Sequence, residues 1–521
     1  MDPGAFRNEP LTDFTRPAER AAMEAALATV ASQLGHDYPM VIGGERLRGT
    51  TLTASTNPAN PSQVVGRVPA GTAQDADRAI HTATQTFATW KQTTPEERSA
   101  VLFRAADTMR RQKHEFSAWM VYEVGKTWPE ADADTAEAID FLDFYARENL
   151  RYAAPPPLTP IPGERNRLVY LPLGAGVVIP PWNFPLAILT GMTAAAIVTG
   201  NTAVVKPSSD APIIAAQLVA LLESSGLPPG VVNFVTGEGA EVGEALVQHP
   251  LTRFVSFTGS KGVGLRVNEV ASKPQPGQRW IKRVVAEMGG KDAIIVDREA
   301  DLDAAAQGVV ASAYGFQGQK CSACSRVIVD EAVHEAFVAK LKARTEALRV
   351  GAPTDPASDV GPVASERQMK KVLEYIEVGR SEGTLLTGGQ RLAGRDGYFV
   401  APTIFTGIDT RARLAQEEIF GPVLAVIKAR DFDDALRIAN DTEFGLTGAV
   451  YTKNADKIRK AEREFFVGNL YINRKCTGAL VGGHPFGGFN MSGTDSKAGG
   501  RDYLLLFLQA QAISEKVTPQ P

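Results

Sequence analysis

Residues 177–205 read VVIPPWNFPLAILTGMTAAAIVTGNTAVV, and this stretch decides the fold. Val177-Val178-Ile179 and Ala203-Val204-Val205 are short β-branched runs. Between them lies a small-residue segment of helical length. A strand, a helix and a second strand in that order predict a parallel pair joined by a right-handed crossover. The pattern repeats at Val231 to Val235 and Phe254 to Phe257, then again from Ala293-Ile294-Ile295-Val296 to about Asn473. The expected class is therefore α/β with two parallel-sheet regions.

Working outward, helical periodicity is expected over roughly 17–34, 74–90, 95–113 and 129–150. Pro155-Pro156-Pro157 ends that pattern, and a polar hairpin-like stretch is expected through Arg167. The tail from Gly478 is glycine-rich and closes in an edge strand at Gln511 to Val517, which is expected to find its partner in another subunit. With 521 residues, 44% apolar and 22% charged, the chain has the make-up of a multidomain soluble enzyme. A net charge of −4 and a pI near 6.0 speak against nucleic acid. No run of about 18 apolar residues spans a membrane. The opening MDPGAFRNEPLTDF lacks the order of a secretory signal. Three cysteines suit a reducing cytoplasm.

Gly315-Phe316-Gln317-Gly318-Gln319-Lys320-Cys321-Ser322-Ala323-Cys324 places a cysteine beside a lysine on a glycine-punctuated loop. An accessible thiol near a positive charge has a lowered pKa and acts as a nucleophile. Pro180-Pro181-Trp182-Asn183-Phe184-Pro185 makes a rigid apolar wall with one side-chain amide, either an oxyanion donor or an ordinary buried turn. Glu287-Met288-Gly289-Gly290-Lys291 gives a carboxylate freedom to swing, or is a solvated loop. Phe257 to Gly264 (FTGSKGVG) follows a strand and opens a helix, a phosphate-binding arrangement. Gly237-Glu238-Gly239 with Gly243 has one residue too many for a dinucleotide fingerprint. Lys206 follows a strand at its carboxyl end, as a ligand contact or a surface residue. Glu417-Glu418-Ile419-Phe420-Gly421-Pro422 offers acids and an aromatic ring. None of the six histidines forms a spaced metal pattern. Cys324 reads as a small core residue, with a regulatory disulfide as the minor alternative, and Cys476 as packing.

These segments, from about Tyr38 onward, resemble the NAD(P)-dependent aldehyde dehydrogenase family. The resemblance implies a Rossmann-type NAD-binding domain, an α/β catalytic domain and a small β oligomerisation flap. It implies an N-terminal arm at 1–37, an NAD-binding domain at 38–153 and 172–287, a catalytic domain at 288–480, and an oligomerisation hairpin and tail at 154–171 and 481–521. It makes Cys321 the nucleophile, Asn183 the oxyanion donor together with the Cys321 N–H, and Glu287 the general base. It assigns the cofactor contacts to Pro181, Trp182, Lys206, Ser208, Ser209, Gly243, Gly259, Ser260, Gly264, Glu418 and Phe420. NAD is the expected cofactor, with NADP as the alternative, because Ser209 stands where many members carry an acid and Asp210 follows one place later.

FRNEP at 6–10, GFQGQKCSACSR at 315–326 and NRKCTGALVGGHPFGG at 473–488 are similar to the branch of that family acting on L-glutamate γ-semialdehyde. In that reading Gly478 and Ala479 hold the α-carboxylate with backbone donors, Ser322 adds a hydroxyl, Phe184 and Phe486 sandwich the chain, and Lys320 helps neutralise the acid. The implied chemistry is a cysteine thiohemiacetal and thioester that yields glutamate. The rival substrates are succinic and methylmalonic semialdehyde; a non-enzymatic binding protein is the remaining alternative. A cytoplasmic, monofunctional homo-oligomer, at least a dimer, is expected, coupled functionally to a separate proline dehydrogenase.

Overall fold

The computed structural model describes residues 4–517; residues 1–3 of the arm and 518–521 of the tail lie outside it. Two seven-stranded sheets organise the chain. Across the first, the order is Arg283–Glu287, Phe254–Thr258, Ala175–Ile179, Thr202–Val205, Val232–Phe234, Met40–Ile42 and Glu45–Leu47. The first five strands are parallel and the last two antiparallel. Thr202–Val205 is buried along its whole length, as befits a strand covered by helices on both faces. Chain order reverses beside Ala175–Ile179, whose neighbours are a later strand on each side. A crevice opens at such a point beyond the carboxyl ends of the strands.

The second sheet runs Thr384–Thr387, Thr403–Thr406, Val423–Ala429, Cys324–Asp330, Asp292–Val296, Thr447–Tyr451 and Asn469–Ile472. All but the first of these are parallel. Glu287 ends a strand of the first sheet, and Asp292 begins one of the second. The carboxyl ends of one sheet and the amino ends of the other thus meet across Met288 to Lys291.

The helices begin where their capping chemistry dictates. Thr72 with Asp75 and Thr94 with Glu97 form capping boxes at Ala73–Trp90 and Pro95–Arg111. The expected helix over 95–113 is Pro95–Arg111; past Gln112 a further helix, Lys113–Val124, follows that no helical periodicity announces. Its side chains are buried nearly all round, so it carries no apolar stripe to read. The long helix Trp128–Ala153 stops before the three prolines.

Two expectations fail together. The segment after the prolines does not fold back into a hairpin; Glu164–Pro172 pairs antiparallel with the terminal strand Leu508–Lys516 of the same chain. Local turn signals suggested a near neighbour, but the partner lies some 340 residues on. The terminal strand therefore has its first partner within its own subunit, not in another.

Candidate active site

Cys321 is partly exposed at the junction of the two sheets. The loop before it contains three consecutive left-handed residues, Phe316 (φ 47°), Gln317 (φ 58°) and Gly318 (φ 67°). Two non-glycine residues in that region store backbone strain, which persists only where the surroundings hold it. Here the Gln317 amide donates to the carbonyls of Gly125 and Pro362, and the Gln319 side-chain oxygen accepts from Ala364 N–H.

The other motifs close around this loop. Asn183 is buried, and its Nδ2 donates to the Gln319 carbonyl at 2.9 Å, two residues before Cys321. A Cβ on Gly290 would lie 2.4 Å from the Cys321 carbonyl oxygen, so only glycine lets these strands of chain touch. A Cβ on Gly289 would meet the Glu418 carboxylate at 2.3 Å, and Glu418 accepts from Gly290 N–H at 3.0 Å. Trp182 packs edge-on to Phe420 with ring centroids 5.4 Å apart. Pro181 is half-buried beside it. A narrow cleft is lined by Gly290, Lys320, Ala323, Glu418 and Phe420.

Glu287 is no solvated loop residue. Burial pushes its carboxyl up to about 7, against the opposing hydrogen bond from Ser496. One oxygen accepts from the Ser496 hydroxyl at 2.7 Å; the other is buried with no partner among the described residues. A group titrating near neutrality suits a general base.

The expected activation of Cys321 by Lys320 is not what the structure shows. Lys320 Nζ lies 2.7 Å from the Glu130 carboxylate and is committed to that pair. Burial, followed by the nearby Asp292, Glu418 and Glu287 carboxylates, pushes the Cys321 thiol well above its usual range. Sequence adjacency to a lysine does not place the ammonium on the sulfur. The thiol needs a base, and Glu287 is close enough to affect it electrostatically.

Around the crevice of the first sheet, Lys206 is 4% exposed, and burial lowers its ammonium to about 8. Its Nζ donates to the Pro207 carbonyl, leaving further protons for a ligand. Gly243 lies over its side chain. A shallow cleft is lined by Pro207, Ser208, Ser209, Thr236, Gly237 and Glu238. Ser260 caps the helix Lys261–Ala271, directly after Gly259. Gly264 in its first turn is packed so closely that a Cβ would strike Met288 Sδ at 2.5 Å. A buried cation, a capped helix start and a cleft at strand ends fit an adenosine diphosphate moiety.

At the opposite end, Ser322 is buried and Phe184 and Phe486 are half-buried. Gly478 has φ 75° and, with Ala479, lies on a loop braced by Arg474, whose guanidinium donates to the Thr477 and Gly478 carbonyls. Cys476 Sγ donates to the Ser322 carbonyl at 3.4 Å, so this loop touches the Cys321 loop.

A family model described as "Aldehyde dehydrogenase family" matches residues 47–513. The chain belongs to the aldehyde dehydrogenase family. The 1-pyrroline-5-carboxylate dehydrogenase of Geobacillus kaustophilus is 57% identical over 98% of this chain and 99% of its own. The solved structure of the Thermus 1-pyrroline-5-carboxylate dehydrogenase with bound NAD superposes with a TM-score of 0.97 at 52% identity, covering 99% of this chain and 100% of that one. Proline utilization A from Bdellovibrio bacteriovorus gives the same TM-score at 43% identity, covering 99% of this chain but 53% of that longer one.

This aldehyde dehydrogenase also carries site groups that sequence spacing did not expose. Helix Trp128–Ala153 presents Glu130, Asp134 and Glu137 on one side. Asp134 pairs with the fully buried Lys126 at 2.7 Å, and the Lys126 ammonium sits 4.0 Å from the Phe184 ring centre. Burial and the Asp134 charge push the Glu137 carboxyl up to about 8. A helix rich in acids reads as a solvated face; only the fold shows Asp134 buried and Glu130 and Glu137 partly buried, with Glu130 paired to Lys320. Cys324 is buried in the core of the second sheet. Asp77, His81 and His249 converge within 4.8 Å. Leu251 N–H donates to His249 Nδ1, which leaves the proton on Nε2 to donate to Asp77, so that nitrogen offers no lone pair to a metal.

Proposed function

We propose that this aldehyde dehydrogenase oxidises L-glutamate γ-semialdehyde, in equilibrium with Δ1-pyrroline-5-carboxylate, to L-glutamate with reduction of NAD. The observation that carries the reading is the contact of the loop at 473–488 with the loop of Cys321, through Cys476 and Ser322. That contact joins a site for the substrate's charged end to the nucleophile. The full-length similarity to 1-pyrroline-5-carboxylate dehydrogenases supports the same substrate.

In this reading Glu287 takes the Cys321 proton, and the sulfur adds to the aldehyde carbon. Asn183 Nδ2 and the Cys321 N–H stabilise the oxyanion, a contribution of about 3–4 kcal/mol for one such donor. Bound NAD supplies the hydride acceptor that turns the hemithioacetal into a thioester. After releasing the Cys321 proton to solvent, Glu287 removes a proton from water, which attacks the thioester; glutamate leaves, and the departing thiolate takes the proton back from Glu287. Gly478 and Ala479 present backbone donors to the α-carboxylate, with Ser322 beside them. Phe184 and Phe486 flank the aliphatic chain, and Glu137 suits the ammonium. Lys206 and Ser208 with Ser209 hold the adenosine end of NAD. Gly243, Gly259, Ser260 and Gly264 hold the pyrophosphate; Glu418 and Phe420, with Trp182 and Pro181, hold the nicotinamide riboside.

NADH formation measured with pyrroline-5-carboxylate against succinic and methylmalonic semialdehydes tests the assignment. A kcat/KM for either rival equal to or above that for pyrroline-5-carboxylate contradicts it.

The working unit is a homo-oligomer of at least two subunits in a cytoplasm. The two-stranded ribbon of Glu164–Pro172 and Leu508–Lys516 has free edges, and Leu158, Ile161 and Leu171 are exposed nearby. Sedimentation of an active monomer would remove that claim. The part-length match to proline utilization A supports functional coupling to a separate proline dehydrogenase.

A further inference from the structure

The N-terminal arm ahead of the first helix, Pro17–Ala31, is bound along the helix Trp128–Ala153 at two carboxylates. Thr12 donates to Asp132 through both its N–H and its hydroxyl, and Glu9 N–H donates to Asp140 at 2.7 Å. Asp132 and Asp140 are eight residues apart on the helix, about 12 Å at its rise per residue. The three or four residues of extended arm between those contacts cover the same length. The arm therefore runs antiparallel to the helix that carries Glu130, Asp134 and Glu137.

Asn8 makes a second connection. Its Nδ2 donates both to Asp140 at 2.7 Å and to the Val481 carbonyl at 2.9 Å. That uses both protons of the amide. Val481 lies two residues beyond Ala479, on the loop read above as the anchor of the substrate's charged end. Phe6 reinforces the clamp. It packs edge-on to Phe144 of the same helix at 5.1 Å, and a Cβ on Gly482 would sit 3.2 Å from both rings. Arg110 ties the arm down from its other side by binding Glu9 at 2.7 Å. One amide thus joins two walls of the substrate end, the acidic helix and the 473–488 loop, without facing the chemistry.

We propose that Asn8 is a positioning residue that sets the distance between the anchor loop and the acidic helix, and through it the selectivity for an aldehyde bearing an α-carboxylate and an ammonium. This rests on the substrate reading above. Loss of the two donors loosens Gly478 and Ala479 but leaves Cys321, Asn183, Glu287 and the cofactor crevice as they are.

The test compares the full-length enzyme with Asn8→Ala and Asn8→Asp, on pyrroline-5-carboxylate and on propanal, which lacks both charged groups. Both variants should raise the KM for pyrroline-5-carboxylate about tenfold, the weight of one hydrogen bond to a charged group. Their kcat, their KM for NAD and their KM for propanal should stay within twofold of the parent. Asn8 is exposed apart from these contacts, and a thermal melt checks that each variant is folded. An unchanged KM for pyrroline-5-carboxylate, or an equal rise for propanal, overturns the proposal. If the parent enzyme does not itself prefer pyrroline-5-carboxylate to propanal, the substrate reading falls and this inference with it. If the parent discriminates and the variants do so equally well, the arm alone is acquitted.

Discussion

The Glu287 carboxylate accepts a 2.7 Å hydrogen bond from the Ser496 hydroxyl, while its second oxygen stays buried with no partner among the described residues. The hydrogen bond favours the charged form and burial opposes it, and burial wins, leaving the group near 7. A general base must be unprotonated, so thioester hydrolysis should rise with pH through about 7 and level off above it. In Ser496→Ala the charged form loses its hydroxyl donor and keeps only backbone N–H groups, and the rise should move to higher pH by about one unit. Single-turnover hydrolysis rates across pH 5.5–9 measure this. A profile unmoved by Ser496→Ala would detach Ser496 from Glu287.

The acid limb of the whole reaction involves a second group. The Cys321 thiol, pushed up by burial and three carboxylates, should be alkylated slowly by iodoacetamide in the enzyme alone at pH 7. In Glu287→Gln one of those negative charges is gone. Alkylation there should quicken if the charge is the stronger influence, and slow if Glu287 acts as the proton acceptor. The mechanism above predicts the slower rate.

Lys126 and Asp134 form a fully buried pair beneath the Phe184 ring, and Asp134 also accepts from Ala187 N–H at 2.6 Å. Asp134→Ala strands a buried ammonium and frees a helix-start N–H. Removing one partner of such a pair costs about 3–5 kcal/mol. Chemical denaturation should show a loss of that size, and a change under 1 kcal/mol would mean that the pair is not sealed from water.

How much of this could be read from the chain depended on where the partner lay. The β-branched runs at 177–179, 203–205 and 293–296 announce buried parallel strands because a strand covered on both faces must be apolar throughout. Cys321, Asn183 and Glu287 each sit in a short run whose local chemistry is unusual. Lys320 misled because its counter-ion, Glu130, is 190 residues away and no spacing rule reaches it. Glu164–Pro172 misled for the same reason, its partner being the terminal strand. Helix Lys113–Val124 was missed because it is buried all round. The acids of helix 128–153 carry a surface composition and a buried fate, which only tertiary packing decides.

Ser209 is exposed at the crevice, and the neighbouring Asp210 is held by Arg367 at 3.0 Å. The Asp210 carboxylate is therefore already paired, which weakens its repulsion of a 2′-phosphate. Ser209→Glu should lower kcat/KM for NADP at least tenfold and leave that for NAD within threefold. Equal NADP use by parent and variant would show that this position does not discriminate between the cofactors.

The account turns on a thioester formed at Cys321 and cleared by Glu287. Glu287→Ala, mixed with NAD and pyrroline-5-carboxylate at pH 8, should form NADH more slowly than the parent but clear the thioester more slowly still, so that NADH approaches one per subunit before a slow steady turnover. Intact-mass and peptide analysis of the quenched enzyme should place a glutamyl adduct on Cys321. NADH formed to that level with no adduct on that sulfur, or steady turnover in Cys321→Ala, would contradict it.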